Sequence, residues 1–288
     1  MHIALVTGID NPDLFEDDLP LKSYLESKGM SAVVVVWNDP MVNWKKFDLI
    51  VIRSIWDYIQ NIDLFSAWLD YLRSHHIRVF NPVAVLQWNK QKQYLLELAQ
   101  QGVRIPPTKL LPKGTQLNLL HELDLVSWDK TVVKPTISVG AYKTWIVTKE
   151  NASLLQSEVN ALLREQDVFI QKFADEIKSH GEISMVYFNK KFSHAVLKKP
   201  KEDDFRVQFH YGGTHEKYNP APDILSQANT ILNTLQHELL YARIDGYVDK
   251  ENRFCLMEIE LIEPVLFITS DPDAPKNFYT ALLEIISG

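Results

Sequence analysis

The chain of 288 residues contains a single cysteine, Cys255. One cysteine excludes an internal disulfide bond and any metal site built from several thiolates. No stretch is apolar over the length that a membrane-spanning helix requires, and the N-terminal residues MHIALVTGID lack the basic, apolar and small-residue regions of a signal peptide. These absences predict a cytoplasmic protein.

Common nucleotide and metal signatures are also missing. Neither GxxxxGK[ST] nor GxGxxG occurs, and the 9 histidines contain no HExxH or comparable ligand spacing. The formal net charge is −7 at pH 7, whereas nucleic-acid binding requires a concentrated basic face. We therefore expect no zinc centre, no nucleic-acid partner and no membrane partner. Any bound nucleotide must be held by a different phosphate-binding design.

The chain has enough apolar sequence for large cores, because 46% of its 288 residues are hydrophobic. From residue 1 to about 88, short apolar strands such as HIALVTG and FDLIVIRS alternate with amphipathic helices such as DLFSAWLDYLRSH, which predicts a parallel α/β unit. The next stretch, NKQKQYLLELAQQG, predicts a helix that ends at Gly102. Hairpin-like strands follow, one pair turning at Asn189-Lys190, and they predict an antiparallel α+β architecture.

The run FCLMEIELIEP, residues 254–264, is apolar but carries carboxylates two residues apart. Upstream lies YARIDGYVDKENRF, which predicts a second strand and a polar turn. If the chain reverses at Glu251-Asn252, Asp245 lies opposite Glu258 and Arg243 lies opposite Glu260. Because side chains alternate between faces, these four share one face. The other face then carries the apolar residues Ile244, Met257, Ile259 and Leu261.

Three carboxylates on one sheet face repel one another unless a cation joins them, and one arginine cannot neutralise all three. Hard oxygen ligands without histidine or cysteine indicate Mg²⁺ or Mn²⁺, and Mg²⁺ usually shares protein carboxylates with substrate phosphates. The implied ligand is a nucleoside triphosphate. Two alternatives stay open: a half-buried strand alternates apolar and charged residues merely because one face meets water, and a one-residue bulge would destroy the alignment.

A bound triphosphate needs further cations. Lysines stand at the ends of predicted elements, at Lys90, Lys134, Lys172, Lys198 and Lys199. Each of them taken singly also fits a solvated surface residue, so only their joint placement supports a phosphate site.

A series of short segments resembles the ATP-grasp superfamily in order and spacing; this superfamily includes D-alanine:D-alanine ligase and glutathione synthetase. The segments are VVKP, FIQKF, GEIS, LKKP, DFRVQ with the later YGG, RID and EIE. The resemblance runs from about Asn89 to Pro264. Four further segments are similar to sequences of the subgroup that contains the ATP-grasp cyclo-ligase of cycloserine biosynthesis: WNDP, FDLIVIRSIWDY, SHAVLKKP and DFRVQFHYGG. The resemblance implies an ATP-grasp fold with an N-terminal parallel α/β (pre-ATP-grasp) domain at 1–88. A central lid lobe at 89–172 and a C-terminal catalytic lobe at 173–288, both α+β, would sandwich ATP.

The resemblance also implies roles for individual residues. Phosphate binding would fall to Lys90 and Lys134, adenine binding to Gln171, Lys172, Phe173 and Ala174, and ribose binding to Glu182. Lys198 or Lys199 would lie near adenine or the phosphates, and Lys199 would be a catalytic residue. The transferring phosphoryl group would be stabilised by Arg206 and Arg243. Magnesium would be bound by Asp245, Glu258 and Glu260. Relatives commonly carry asparagine at the position of Glu260. This departure would strengthen cation binding or leave one carboxylate paired with Arg243.

The substrate would lie between the N-terminal domain and the metal, where strand ends open onto a crevice. In RSIWDY, Arg53 could pair with a substrate carboxylate, while Trp56, Asp57 and Tyr58 would shape the pocket. Packing is an equal alternative for Trp56 and Tyr58. A second wall would come from HYGG, through His210, Gly212 and Gly213.

The predicted function is an ATP- and magnesium-dependent ligase that activates a small, amino-acid-like carboxylate as an acylphosphate for attack by a nitrogen nucleophile. Whether the nitrogen belongs to a second molecule or to the same one, as in a ring closure, stays open. Two other functions also stay open: a phosphotransferase on the same scaffold and a noncatalytic nucleotide-binding regulator. The resemblance also allows a homodimer.

Overall fold

A computed structural model of the chain describes residues 1–201, 206–207 and 211–287. The first sheet is parallel, with strand order β2-β1-β3-β4. Its strands are β1 (His2–Thr7), β2 (Ser31–Val36), β3 (Leu49–Ile52) and β4 (Val79–Phe80). The helices of this region are α1 (Leu19–Ser27), α2 (Ile62–Ser74) and α3 (Val83–Asn89). Every residue of β3, sequence LIVI, is buried, as expected for an inner strand of a parallel sheet.

The second sheet is antiparallel, with order β5-β8-β6-β7. Its strands are β5 (Thr108–Leu111), β6 (Thr131–Pro135), β7 (Trp145–Val147) and β8 (Val168–Lys172). The helices of this part of the chain are α4 (Tyr94–Gln100), α5 (Leu119–Val126) and α6 (Ala152–Glu165). Helix α4 contributes Tyr94, Leu95 and Leu98 to the core beneath the C-terminal strands, so it packs mainly on the third sheet.

The third sheet is antiparallel, with order β11-β10-β9-β12-β13. Its strands are β9 (Glu182–Phe188), β10 (Lys191–Lys199), β11 (Thr214–Tyr218), β12 (Tyr241–Val248) and β13 (Phe254–Glu260). The helices are α7 (Asp175–His180), α8 (Pro222–Thr234) and α9 (Ala274–Ser287). Single-turn and two-turn 3₁₀ helices lie at Glu16–Asp18, Trp44–Lys46, Trp56–Asn61 and Ile268–Ser270.

The sheet pattern confirms the predicted fold class, a parallel α/β unit followed by antiparallel α+β units. The predicted hairpin turn at Asn189-Lys190 joins β9 to β10, and both turn residues have positive φ. The helix predicted to stop at Gly102 is confirmed as α4, which ends at Gln100 just before the positive-φ Gly102, but it begins only at Tyr94, after α3 has ended at Asn89. The Asn89 amide bonds Ile259 O and Leu261 N, each at 2.8 Å, and thereby ties the end of α3 to the end of β13.

The turn between β12 and β13 also differs from the prediction. It spans Asp249–Arg253, closed by a bond from Asp249 N to Arg253 O, instead of a two-residue reversal. Near this turn Gly246 pairs with Leu256, whereas beyond a bulge Asp245 pairs with Glu258. The bulge at Met257 therefore restores the register that the shorter turn would have produced. Met257 packs partly beside Ala174, Tyr247 and Cys255 instead of joining the opposite core face, so that part of the prediction is wrong.

The N-terminal domain is bound tightly to the segment that follows β13. Asn81 bonds Tyr241 O at 2.9 Å and Leu261 O at 2.7 Å through its side-chain amide. The Tyr241 hydroxyl donates to Ile52 O and Ile262 O, each at 2.8 Å. These buried bonds hold the parallel sheet against the edge of the third sheet where the candidate site lies. No helix within the described residues combines the length and apolar character needed to cross a bilayer.

Candidate active site

Two pairs of opposed residues on β12 and β13 form the centre of the candidate site: Arg243 with Glu260 and Asp245 with Glu258. Arg243 donates from Nε to Asp245 Oδ1 at 3.0 Å and from NH2 to Asp245 Oδ2 at 2.8 Å, and NH2 also contacts Glu260. Burial alone would lower the pKa of Arg243, but Asp245 and Glu260 raise it above its usual value. The predicted facing arrangement is present, with the arginine between two acids.

Asp245 is the most enclosed of the three acids. Its Oδ1 accepts a bond from Ser184 Oγ at 2.5 Å, and its Oδ2 lies 3.5 Å from Lys198 Nζ. Although burial would raise the pKa of Asp245, the charges of Arg243 and Lys198 hold it well below its usual range. Lys198 also pairs with Glu182, the residue opposite it on β9. Asp245, Glu182 and Lys198 therefore form one buried ionic network with Arg243.

Lys92, which the sequence reasoning did not select, completes the cluster. Its Nζ lies 2.5 Å from Glu258 Oε1 and 2.9 Å from Ser138 O, and its backbone N–H donates to Thr136 O at 2.8 Å. Lys92 therefore joins Glu258 to the segment after β6. Burial would lower the pKa of Lys92, but the charge and hydrogen bond of Glu258 raise it, so Lys92 carries a stable positive charge.

Lys134 lies on β6 with its Nζ 3.0 Å from Gln171 Oε1, and Gln171 in turn donates to Thr108 Oγ1 at 2.8 Å. Burial lowers the pKa of Lys134 to about 8, and the positive charge of Lys92 acts in the same direction. Glu258 and Glu182 raise that pKa, which places Lys134 within electrostatic reach of both acids. Lys134, Lys92 and Lys198 thus act on the same group of acids.

Three of the predicted lysines do not join this cluster. Lys90 Nζ bonds Ser66 Oγ at 2.8 Å and Gln87 Oε1 at 2.7 Å, so it lies against α2 and α3. Lys199 lies on the opposite face of β10 from Lys198. Its Nζ lies 2.8 Å from Glu216 Oε1, and both side chains are exposed. Lys172 is exposed at the end of β8. The structure thus assigns the enclosed positions to Lys92 and Lys198 instead of Lys90 and Lys199.

The predicted adenine segment lies where β8 leads into α7. Ala174 packs with Tyr247 and Cys255 in a small apolar cluster on the site face, with Ile177 and Met257 beside it. Lys172 and Phe173 line a neighbouring cavity of about 510 Å³. The small apolar cluster therefore lies on the same sheet face as Arg243 and Asp245, beside a cavity whose lining is largely charged.

The substrate residues predicted in RSIWDY have different environments. Arg53 is 1% exposed; its Nε donates to Asp18 Oδ1 at 3.0 Å and its NH2 to Pro264 O at 2.7 Å. Asp57 accepts bonds from Trp37 Nε1 at 2.9 Å and from Ile9 N at 3.2 Å. Both side chains are enclosed by the fold, so their predicted substrate contacts are replaced by structural ones.

Trp56 and Tyr58 both reach the segment after β13. Trp56 is partly exposed and donates from Nε1 to the backbone oxygen of Glu263 at 3.0 Å. Tyr58 is buried against Phe65, with ring centroids 4.5 Å apart, and its hydroxyl faces the carboxyl of Glu263. Glu263, which the sequence did not single out as a site residue, is the third acid of the apolar run FCLMEIELIEP. It is buried, and burial together with Glu260 raises its pKa to about 8.

The predicted residues after β10 are only partly described. The guanidinium of Arg206 lies over the Tyr211 ring at 3.6 Å from its centroid. Gly212 has positive φ, and Gly213 is buried. The remaining prediction in this segment, His210, lies outside the described residues.

The chemistry of the donors fits magnesium at Glu258 and Glu260. Their side chains are 29% and 26% exposed, and the cations beside them bond Oε1 in each case. Three or more acidic, histidine or cysteine side chains do not converge as a ready-made metal cage anywhere in 1–201, 206–207 or 211–287. Two carboxylates completed by nucleotide oxygens and water are the arrangement that Mg²⁺ commonly uses. Burial and the neighbouring acids raise the pKa of Glu260 to about 7 despite Arg243, so a cation beside it would favour its charged form.

The fold and this ionic cluster define a nucleotide-dependent ligase of the ATP-grasp class. Residues 88–264 match the family described as RimK-like ATP-grasp domain, and residues 3–81 match the family described as D-cycloserine synthetase DcsG, N-terminal domain. The chain belongs to the RimK-like ATP-grasp family. The predicted activity class, an ATP-dependent ligase that joins a carboxylate to a nitrogen nucleophile, is confirmed. ATP-grasp ligases bind ATP with magnesium.

Relatives of known structure or function cover almost the whole chain. The chain is 26% identical over 293 residues to the cycloserine biosynthesis protein DcsG of Streptomyces lavendulae, covering 98% of each sequence. It matches the crystal structure of D-cycloserine synthetase DcsG with a TM-score of 0.88, 26% identity and 99% coverage of both chains. A D-alanine–D-alanine ligase from Bacillus anthracis shares the fold, with a TM-score of 0.70, 16% identity, and coverage of 99% of this chain and 96% of the other.

Proposed function

We propose that this ligase uses ATP and magnesium to phosphorylate the carboxylate of a small, amino-acid-like substrate, and that a nitrogen of the same molecule then closes a ring. The supporting observation is that buried cations and partly exposed carboxylates from β6, β10, β12, β13 and the segment before α4 form one ionic cluster. The cations are Lys92, Lys134, Lys198 and Arg243, and the accessible acids are Glu258 and Glu260.

Each group has a distinct task in this proposal. Glu258 and Glu260 hold magnesium, which when bound supplies charge neutralisation on the phosphate oxygens. Lys92 and Lys134 donate charge-assisted hydrogen bonds to the phosphates. Arg243 keeps its charge at every accessible pH and faces the transferring phosphoryl group, while Asp245 and Lys198 fix its position. Asp245 reaches the metal directly only if one of its present partners moves.

The reaction balances without a covalent enzyme intermediate. A substrate carboxylate oxygen attacks the γ-phosphorus, the bond to the β-phosphate oxygen breaks, and ADP leaves. The nitrogen then attacks the carbonyl carbon of the acylphosphate, the carbon–oxygen bond to phosphate breaks, and the nitrogen loses a proton. Val139, in the segment that follows β6, packs against the core of the N-terminal domain, which closes this side of the crevice and shields the acylphosphate from water.

Ring closure is favoured over joining two molecules because similarity to the D-cycloserine synthetase extends over the N-terminal domain, which lines the substrate side of the crevice. A substrate of this class is a D-serine that carries an amino group on its side-chain oxygen, since opening the amide bond of D-cycloserine leaves that connectivity.

Other assignments belong to the same proposal. We assign adenine to the segment Gln171–Ala174 and the ribose to Glu182, and we assign Arg206 to the transferring phosphoryl group. We also propose that the chain divides into domains at 1–88, 89–172 and 173–288. A cytoplasmic location is part of the same proposal. Support comes from the family match over residues 88–264 and from the apolar cluster around Ala174.

The test is an ADP-release screen over amino acids, dipeptides and ureido, aminooxy or hydroxamate derivatives, with products weighed by mass spectrometry. Ring closure gives a product equal to one substrate minus water, and joining two molecules gives the sum of both minus water. ADP without a new amide would identify a phosphotransferase, and ATP binding without turnover would identify a regulator. Glu258→Gln should abolish ADP release, whereas Glu251→Gln, on the exposed turn, should not.

A further inference from the structure

Glu263 is a buried acid with an unusual position. Its side chain follows β13 on the segment that crosses to the N-terminal domain, and the residue is 7% exposed. The Tyr58 hydroxyl faces its carboxyl, and the Trp56 indole N–H donates to its backbone oxygen at 3.0 Å. Glu263 therefore lies between two aromatic residues of the N-terminal domain and the candidate metal ligands.

Its partners differ from those of the other buried acids. Asp18, Glu122 and Asp245 each pair with a lysine or arginine, and Asp17 and Asp57 each accept bonds from two or more donors. In the part of the chain that the structure describes, the Glu263 carboxyl has no ion pair, and the Tyr58 hydroxyl is its polar neighbour from the N-terminal sheet region. Lys92 acts on it only through space, since its Nζ bonds Glu258 and Ser138.

An ionised carboxylate that is buried without a cation is costly, so the folded protein leaves Glu263 in need of either a proton or a positive partner. Burial and the charge of Glu260 raise its pKa to about 8, which describes the protein with no ligand bound. A cation that enters the crevice would release the proton and pair with the carboxylate.

The surroundings discriminate between cations. Mg²⁺ requires several oxygen ligands in octahedral geometry and keeps much of its water, whereas Glu263 offers one carboxyl beside the rings of Trp56 and Tyr58. An ammonium group is satisfied by one carboxylate and aromatic neighbours, through charge-assisted hydrogen bonds and cation–π attraction.

We propose that Glu263 binds an ammonium group of the substrate that is not consumed in the reaction, with Tyr58 holding the carboxylate and Trp56 forming the adjacent wall. The inference rests on the proposed function and narrows it: the substrate is an α-amino acid derivative with a free amine, and amine-free or N-acylated analogues are rejected. Glu263 is thereby a specificity residue, separate from the groups that bind ATP.

The test compares a substrate from the ADP-release screen with its analogue in which hydrogen replaces the ammonium. Wild-type enzyme should prefer the amine in kcat/KM by about 10- to 100-fold, the loss expected for one charged hydrogen bond. Glu263→Gln should reduce that preference to a few-fold while the KM for ATP stays unchanged. Tyr58→Phe should reduce it less and in the same direction, and Glu251→Gln should leave it intact.

The inference is overturned if wild type shows no preference, or if Glu263→Gln lowers both activities equally and keeps the ratio. If no compound turns over, the proposed function fails, and calorimetry with Mg·ADP decides the ammonium claim separately. Wild type should then bind D-cycloserine more tightly than amine-free isoxazolidin-3-one, and Glu263→Gln should remove the difference. Equal binding of the two compounds, or binding of neither, would refute the inference.

Discussion

The side-chain nitrogen of Lys92 lies 2.5 Å from Oε1 of Glu258, which is 166 residues further along the chain. The same nitrogen bonds Ser138 O at 2.9 Å, so one ammonium joins the candidate metal site to the segment after β6. A nucleotide bound as proposed would meet this cation between the segment after β6 and the end of β13.

Lys92 and Lys90 form a matched pair for testing this arrangement. Lys92→Ala should raise the KM for ATP by about 10- to 100-fold, because a charge-assisted contact to phosphate is lost. Lys90→Ala should leave it unchanged, since that lysine bonds Ser66 and Gln87 instead. Steady-state kinetics with varied ATP distinguish the two variants. Equal damage from both substitutions would remove the assignment of Lys92.

Lys198 and Lys199 form a second pair, this time for stability. Lys198→Met should leave Glu182 and Asp245 buried without one of their cations and cost about 3 kcal/mol of unfolding free energy. Lys199→Met should cost almost nothing, because its pair with Glu216 is exposed. Urea unfolding of both variants measures the difference. A stable Lys198→Met protein would show that the buried network tolerates the loss of this charge.

ATP binding should depend on pH through Lys134. Its pKa of about 8 in the ligand-free protein lies below the ordinary 10.5, so its ammonium is present below about pH 8 and is lost as the pH rises through that value. We expect kcat/KM for ATP to fall above about pH 8 with this titration. Lys134→Arg should remove the step, because arginine stays protonated. A profile of unchanged shape in Lys134→Arg would assign the titration to another group.

The stability of the ligand-free protein should depend on pH through Glu263. Its folded pKa of about 8 lies above the ordinary 4.5, so the folded state retains a proton that the unfolded chain releases. The unfolding free energy should therefore decrease between about pH 4.5 and about pH 8. Glu263→Gln, which cannot ionise, should flatten this decrease in thermal unfolding curves. An equally steep pH dependence in the variant would show that Glu263 is charged in the folded protein.

The sequence predicted the facing pairs on β12 and β13 although it predicted the turn incorrectly. Pairing near the turn is offset by one residue from the prediction, and the bulge at Met257 cancels the offset before Asp245 and Glu258. Turn length and a bulge have opposite effects on register, and neither leaves a clear mark in a single sequence. Gly246 beside the bulge is the local clue, since a Cβ there would lie 2.4 Å from Cys255 O.

The choice between neighbouring lysines was beyond the sequence. Lys90 lies four residues before buried Tyr94, and Lys92 lies three before buried Leu95, so helical periodicity favours neither. The break between α3 and α4 decides the matter, and it depends on Asn89 bonding the distant end of β13. A tertiary contact of this kind leaves no local pattern.

Arg53 shows the opposite error, in which a charged residue at a strand end suggested a ligand site. Its charge is used inside the protein, on Asp18 and on Pro264 O, and its guanidinium lies 5.1 Å from the centre of the Tyr241 ring. A sequence cannot distinguish an arginine that binds a substrate from one that binds the next domain, because both need the same guanidinium chemistry.

The departure at Glu260 is explained by the structure. The extra carboxylate pairs with Arg243, one of the two outcomes expected from the sequence, and one oxygen of the partly exposed side chain remains for a cation. Glu260 therefore serves both the arginine and the candidate magnesium site.

The central claim is that Glu258 and Glu260 hold the metal of the bound nucleotide. Crystals grown with Mn²⁺ and ADP, measured at the manganese absorption edge, test it directly, because the anomalous signal marks the ion itself. The account predicts a Mn²⁺ peak within about 2.5 Å of a carboxylate oxygen of each of these two residues and of a phosphate oxygen. A nucleotide-bound Mn²⁺ that touches neither carboxylate would contradict it.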